Sequence, residues 1–478
     1  MKRLFALTAL LLCLCLLAGC AGGKGSRVTE IKLSDSGIEI SGGGAKAEGN
    51  VVTISAVGEY SVSGLIGDGQ IVVDTGDEAV NVTLILNGAE ITNPGGPAIH
   101  IRQAKDARIR LAEGTKNGVT SGTGPDMALD RADGSGAAIF AEDDLDIEGE
   151  GELIVCGYIN NGIACKDDLD INSGNITVYA ANNGIRGSDS VEIKGGNIAV
   201  SAGNDGIKST ATDKAGKGYV TVSGGTVAVN ALGDGISAET ELSITGGLIT
   251  VSAQGDPAQT SSKGVKAGAG LSISGGSLTV EATDHAVHSG ADLSVNGGVV
   301  TASSSEGKAF AAHGDIRVAG GELSLSAKSD GMETSGDVAL SGGSLEISAG
   351  DDGIQAGEAN SGVGTVTVSG GQVKISAKGR GVNARGQLVL NGGVLIALSG
   401  SDKTVVPAET GSQAYVSVGW IGADGDDLTL LTADGQELTA FTAARPYKQV
   451  LASAPELEEG AGYTLSKGLD SISVTAAR

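Results

Sequence analysis

The chain reads as an all-β parallel β-helix of about 22 residues per coil, closed by a small β-rich C-terminal module. Three observations carry this reading. First, a small residue precedes an apolar one at Gly162, Gly184, Gly206, Gly235, Gly264, Ala286, Ala309, Gly331, Gly353 and Gly381, at spacings of 22, 22, 29, 29, 22, 23, 22, 22 and 28 residues. Second, a Gly-Gly series keeps constant phase with it: Gly195-Gly196, Gly224-Gly225, Gly246-Gly247, Gly275-Gly276, Gly297-Gly298, Gly320-Gly321, Gly342-Gly343, Gly370-Gly371 and Gly392-Gly393. Third, the 478 residues include 80 Gly and only 3% aromatics. That composition suits short strands of small and β-branched residues joined by tight turns.

Each coil resolves into three short strands. After each Gly-Gly stands an alternating segment such as Thr226-Val227-Ala228-Val229 or Ser344-Leu345-Glu346-Ile347. Before it stands another, such as Leu271-Ser272-Ile273, and the Gly-Ile-x-Ala/Ser piece supplies the third. Period-two alternation buries one face and solvates the other. Stacked coils would lie about 4.8 Å apart and pair their backbones along the stack. Three coils are longer, with extra residues at Thr210–Gly218, Gln254–Ser262 and Glu358–Gly364. Insertions at corners leave a stack intact and are usual places for binding loops.

The ends depart from the repeat. Residues 1–19 read as a signal peptide: Lys2 and Arg3, then an apolar run from Leu4 to Leu17 too short to span a membrane, then Leu17-Ala18-Gly19-Cys20. The last four look like a bacterial lipobox, in which Cys20 carries the lipid, and Ala21 to Ser26 read as a tether. The expected location is therefore extracytoplasmic, lipid-anchored to a bacterial membrane at the cell surface. Residues 20–50 are an anchor, tether and irregular lead-in, 51–400 the β-helix, and 401–478 the C-terminal module, with the lone Trp420. A module of this kind covers the open end of a solenoid.

The formal charge is −25, and the first 19 residues hold two basic residues and no acid. So acidic a chain lacks the cationic surface that nucleic acid requires. It suits cation binding, or a solvated acidic surface. Of five Cys, Cys156 and Cys165 remain once the signal and the lipid site are set aside. Repeat phase places Cys156 with Val178 and Cys165 with Gly187, both toward the coil interior. A disulfide and two buried free thiols are both compatible with that placement.

Several segments carry a family resemblance. Gly69-Gln70-Ile71-Val72-Val73-Asp74, Val82-Thr83-Leu84-Ile85-Leu86-Asn87-Gly88, Ile91 through Ile99 and Leu111-Ala112-Glu113-Gly114-Thr115-Lys116-Asn117, with Asp434-Gly435-Gln436-Glu437 and Tyr447 through Leu451 in the tail, resemble the bacterial carbohydrate-binding β-helix lipoprotein family. The resemblance spans roughly Val51 to Tyr463. It implies a right-handed, pectate-lyase-like β-helix, bound Ca2+, and binding of plant-type polysaccharides including acidic ones, without demonstrated catalysis.

Stacking turns equivalent positions into surface ladders. The residue before each turn Gly or Ala runs Asn161, Asn183, Asp205, Asp234, Lys263, His285, Lys308, Asp330, Asp352, Arg380. Carboxylates about 5 Å apart repel unless a cation bridges them or one is protonated. Ca2+ takes six to eight oxygens. Asn183, Asp205 and Asp234, with Asn204 nearby, form one candidate metal group, and Asp330, Asp351 and Asp352 a second. Asp146, Asp170 and Glu192 form a third acidic ladder, flanked by Asp143, Asp144, Asp167, Asp168 and Asp189. The structural alternative is that Asn and Asp favour such corners because they bond neighbouring backbone.

Between the acidic stretches Lys263, His285 and Lys308 stack, with Lys266, His288 and His313 close by. Three of the four His fall here. This strip is the candidate receptor for sugar carboxylates, with calcium as a bridge; local charge balance is the competing account. The aromatics Tyr158, Tyr179, Tyr219, Phe310 and Trp420 share no ladder position, so recognition is expected to be polar. The preferred reading is a monomeric, calcium-dependent, non-catalytic binder of acidic, polygalacturonate-like polysaccharide. A calcium-dependent lyase would need a Lys or Arg base, with Lys208, Lys266 and Arg186 as candidates. A structural adhesin would use the ladders for stability alone.

Overall fold

The computed structural model describes residues 28–76, 80–124, 135–256, 260–358, 363–403 and 406–478. The signal segment, Cys20 and the tether lie outside the described residues, as do 257–259 and 359–362 within two of the insertions. The described residues form β-structure without helices, in sheets of 28, 15 and four strands.

The solenoid is built by parallel pairing of equivalent segments. Ile163 pairs with Ile185, Ile185 with Ile207, and Ile207 with Ile236, in the ladder that becomes the 15-stranded sheet. A second ladder stacks Asn175–Ala180, Asn197–Ala202 and Thr226–Ala231. A third stacks Asp168–Ile171, Ser190–Ile193 and Tyr219–Val222. The last two merge into the 28-stranded sheet where Val366–Ala377 and Leu388–Ser399 run through both. The three ladders enclose one aliphatic core from Ile31 to Leu451 in which Ile, Val, Leu and Ala predominate.

Both glycine series have a steric cause. The second Gly of each pair, from Gly196 to Gly393, holds φ between +77° and +93°, a region costly for residues with a Cβ. The first Gly of each pair lies over the coil before it. A Cβ there would stand 2.3–2.8 Å from a carbonyl oxygen, as at Gly342 over Ala319 or Gly297 over Ser274. In the other series a Cβ on Gly162, Gly184, Gly206, Gly235 or Gly264 would meet a Val Cγ1 at 2.0–2.2 Å.

Two sequence expectations need correction. The lead-in is not irregular throughout: Thr29–Leu33 pairs in parallel with Tyr60–Gly64, and Ile31 and Leu33 enter the core. Ala45–Glu48 and Val51–Ile54 form an antiparallel hairpin. Cys156 does not point inward, because it pairs with Tyr179 rather than Val178 and is only half-buried. One step of register moves a side chain to the opposite face. Cys165 does pair with Gly187 and is buried; both thiols are free, and burial pushes the Cys165 pKa up.

At the C-terminal end, Tyr447–Ser453 pairs antiparallel with both Leu388–Ser399 and Tyr415–Gly422. A four-stranded antiparallel sheet follows, with its own core around Leu428, Phe441, Tyr447 and Leu465; Trp420 packs against it. The Lys467 ammonium lies 4.9 Å from the Trp420 ring centre.

Candidate ligand-binding strip and acidic cluster

The 15-stranded sheet positions the candidate residues. Its three-residue strands turn their outer residues inward and the middle one outward. Lys266 therefore stands beside His288, and His288 beside Ala311. The corner residue three positions earlier lies next to each of these. All six strip residues come together: the His288 ring centre is 5.7 Å from that of His285 and 5.5 Å from that of His313.

The corner ladder is a hydrogen-bonding device. Each Asx Oδ1 accepts the backbone N–H of the residue one coil on: Asn161 from Asn183 (3.1 Å), Asn183 from Asp205 (3.2 Å), Asp205 from Asp234 (2.8 Å) and Asp234 from Lys263 (2.9 Å). The series resumes with Asp330 accepting from Asp352 (2.9 Å) and Asp352 from Arg380 (2.6 Å). His285 takes the same part through Nδ1, which accepts the Lys308 N–H at 3.2 Å. These bonds satisfy corner amides that would otherwise be buried without partners.

The first candidate metal group is consequently occupied by protein groups. The second oxygen of Asp205 binds Lys208 Nζ at 2.7 Å, and that of Asp234 binds Lys266 Nζ at 2.9 Å. Asn183 Oδ1 also accepts from Asn204 Nδ2 at 3.2 Å. Lysine ammoniums thus stand where a bridging cation was expected for Asn183, Asp205 and Asp234.

The strip is charge-compensated. Lys263 Nζ is 2.6 Å from Asp284, Lys266 Nζ 2.9 Å from Asp234, and Lys308 Nζ 2.7 Å from Glu333. Burial pushes the His288 pKa down to about 4, with Lys263 and the neighbouring His adding to it. Burial also lowers that of His285. Burial opposes ionisation of Asp284 and Glu333, but hydrogen bonds from Lys263 and from Asp330 and Lys308 outweigh it and hold both below their usual values. Asp284 and Glu333 were not singled out in the sequence. Glu333 follows Asp330 by the same three residues that separate Lys266 from Lys263, so repeat phase would have found it.

Asp330, Asp351 and Asp352 do converge, with carboxylate oxygens within 4.8 Å of one another. Asp330 is buried, and burial and the adjoining Glu333 raise its pKa to about 7. The donor set is all oxygen, as a hard divalent cation such as Ca2+ requires, and among the described residues no lysine binds it. Asp352 Oδ1 accepts the Arg380 N–H, however, and its Oδ2 accepts from Asn383 Nδ2, so a cation would share these oxygens with the protein. Lys308, Glu333 and Asp330 link this cluster to the strip.

The third acidic ladder lines a groove of about 220 Å³ with Asp106, Asp144, Asp146, Asp168, Asp170, Glu192, Ser190 and Tyr219. It too is laced with cations. Lys194 bridges Asp170 and Glu192, while Lys217 and Lys214 of the Thr210–Gly218 insertion bind Asp168 (2.6 Å) and Asp189 (2.9 Å).

The ladders make the chain a parallel β-solenoid that presents hydrogen-bonding groups at regular spacing. The model of the carbohydrate-binding domain-containing protein family matches residues 48–309 and 303–440, so the chain belongs to that family. A carbohydrate-binding domain-containing protein of Acetivibrio thermocellus is 40% identical over 129 residues, or 27% of this chain. The match spans 45% of that relative's length. A solved structure described as the polysaccharide lyase-like protein from C. thermocellum, a gadolinium derivative, shares 35% identity over 52% of this chain and 97% of its own, with a TM-score of 0.46.

Proposed function

We propose that this chain is a lipid-anchored, non-catalytic binder of acidic polysaccharide at the bacterial cell surface, acting with Ca2+. In this reading the solenoid is a right-handed parallel β-helix of about 22 residues per coil, monomeric, with Cys20 as the lipid site. The observation that carries it is the continuity of the Lys263/Lys266/His285/His288/Lys308/His313 strip with the Asp330/Asp351/Asp352 cluster through Glu333. A uronate polymer has carboxylates for the strip and for a bound cation, and hydroxyls for the partly exposed Asp284 and Glu333 acceptors. Family membership supports a polysaccharide partner. Fixed donors and acceptors that are already paired need little reordering on binding, which favours affinity.

Calorimetric titration of polygalacturonate into the soluble chain, in Ca2+ and again in chelator, tests this. Saturable heat in Ca2+ and its loss in chelator is the expected result. The double charge reversal Lys263→Glu/Lys308→Glu is expected to weaken binding by about tenfold or more. Heat that never saturates, accompanied by unsaturated uronate products, would identify a lyase instead. Silence in both buffers would reject acidic glycan as the ligand.

A further inference from the structure

The four histidines are unevenly placed, and the three in the strip are not equivalent. His288 Nδ1 is buried and has no hydrogen-bond partner among the described residues. A buried imidazole lone pair left unpaired costs less than a buried N–H left unpaired, because only the latter is a strong donor deprived of water. Nδ1 therefore carries no proton, and the neutral ring must hold it on Nε2. His285 reaches the same tautomer by a separate route. Its Nδ1 accepts the Lys308 N–H at 3.2 Å, the place filled elsewhere in the ladder by an Asx oxygen. Asp284 Oδ1 is also 3.2 Å from that nitrogen. The backbone amide has no other tautomer to offer, whereas the Asp284 carboxylate has other donors, Lys263 Nζ at 2.6 Å on Oδ2 and the His285 backbone N–H, so the ladder bond decides the assignment.

The geometry points to His285 and His288 as a pair of tautomer-locked, neutral Nε2–H donors that give the strip its hydrogen bonds to glycan oxygens, carboxylate or hydroxyl, independently of pH. This inference rests on the polysaccharide reading above. The charged groups around the pair are Lys263, Lys266 and Lys308 on the cationic side and Asp284, Asp234 and Glu333 on the anionic side, with the His313 ring beside His288. The lysines nearest His288 oppose a second proton on its ring, and the depressed pKa values of both rings agree with this. Locking Nδ1 as the lone-pair atom also withholds the Nε2 lone pair from metals. Two of the three imidazoles are thus built as hydrogen-bond donors and not as metal ligands.

Two measurements on the full soluble chain test the assignment. In 15N-histidine-labelled protein, two-bond 1H–15N correlation spectra should show His285 and His288 as Nε2–H tautomers, with the His288 shifts constant from pH 8 to pH 5. Polygalacturonate titrations should give affinities that change less than about threefold over the same range. His288→Ala should weaken binding about tenfold, the scale of one hydrogen bond to a charged group, while His288→Gln, which keeps a donor, should retain most of it. Nδ1–H tautomers, or titration at an ordinary histidine midpoint, would overturn the lock. Tight Ni2+ binding that is lost in His285→Ala would overturn it as well. An intact affinity in His288→Ala would overturn the donor role while leaving the polysaccharide reading in place. No glycan binding by the unaltered chain at any pH would overturn both that reading and the donor role, and the spectra would still report the tautomers.

Discussion

Gly264→Ala is expected to destabilise the solenoid by about 3 kcal/mol, and Val280→Ala in the same chain to recover a large part of that loss. The Cβ added at position 264 would lie 2.0 Å from Val280 Cγ1 and 2.6 Å from the Ala286 carbonyl oxygen. Neither can give way easily, since Val280 lies in the core and the carbonyl accepts the Val265 N–H at 2.9 Å. One coil on, the corresponding turn position is Ala286, and the strand residue paired with Val280 is Ala302. There the extra methyl on the turn coincides with methyls missing from the strand. The compensation occurs within this one chain, so the double variant copies an arrangement the solenoid already tolerates. Thermal melts of the two single variants and the double variant would measure it. A coupling energy under about 0.5 kcal/mol would show that the turn backbone, rather than the Val280 methyl, sets the requirement for glycine. Stacked repeats need not unfold as one unit, so the melts should be followed by hydrogen exchange around Gly264 as well.

The same contacts explain why the coils were legible before any coordinates. Gly196 through Gly393 are constrained by φ and by the carbonyls below them, and Gly162 through Gly264 by a Val methyl. Such constraints recur once per coil and leave a periodic trace. Features that occur once leave none. Thr29–Leu33 enters the stack as a single five-residue strand without a Gly-Gly mark. The register of Cys156 depends on a one-residue choice that alternation along Leu153–Val155 would have settled, since Leu153 and Val155 face inward and Cys156 cannot.

The site was legible in position more than in state. Repeat phase brought the six strip residues and the three aspartates together, but it carries no information on side-chain pairing. The Asp205–Lys208 bond joins a corner residue to the outward strand residue three places later in its own coil, and the Asp234–Lys266 bond joins a corner residue to the outward strand residue of the next coil, 32 residues on. The acidic groove illustrates a harder case. Lys214 and Lys217 reach Asp167, Asp168 and Asp189 from an insertion of irregular conformation, across 47 and 49 residues of sequence in the Asp167 and Asp168 contacts. Nothing in local pattern specifies where such a loop lies.

Asp330→Asn should separate a structural corner from a cation site. Asn keeps the Oδ1 acceptor for the Asp352 N–H and removes a buried charge. Asp330 is raised from 3.8 to about 7 in the folded chain. Between those values the native state holds a proton that the unfolded state has released, so stability falls as pH rises through this window. The penalty is complete above pH 7 and absent below about pH 4. In chelator at pH 8 the variant is therefore expected to be more stable than the parent by about 2 kcal/mol, allowing for residual solvent around the group, and the two should converge near pH 4. Calcium should reverse the order at pH 8. It replaces the proton as the neutralising charge, and binding to the folded state alone stabilises the parent in proportion to the logarithm of its concentration. The variant, with one carboxylate fewer, should gain little. Melting temperatures in chelator and in millimolar Ca2+ at pH 4 and pH 8 distinguish the cases. A parent indifferent to Ca2+, with Asp330→Asn stabilised in both buffers, would make this cluster a strained corner and move any calcium site elsewhere. If the parent alone responds to Ca2+, the buried carboxyl of Asp330 is a ligand whose cost to the empty fold is offset when the cation binds.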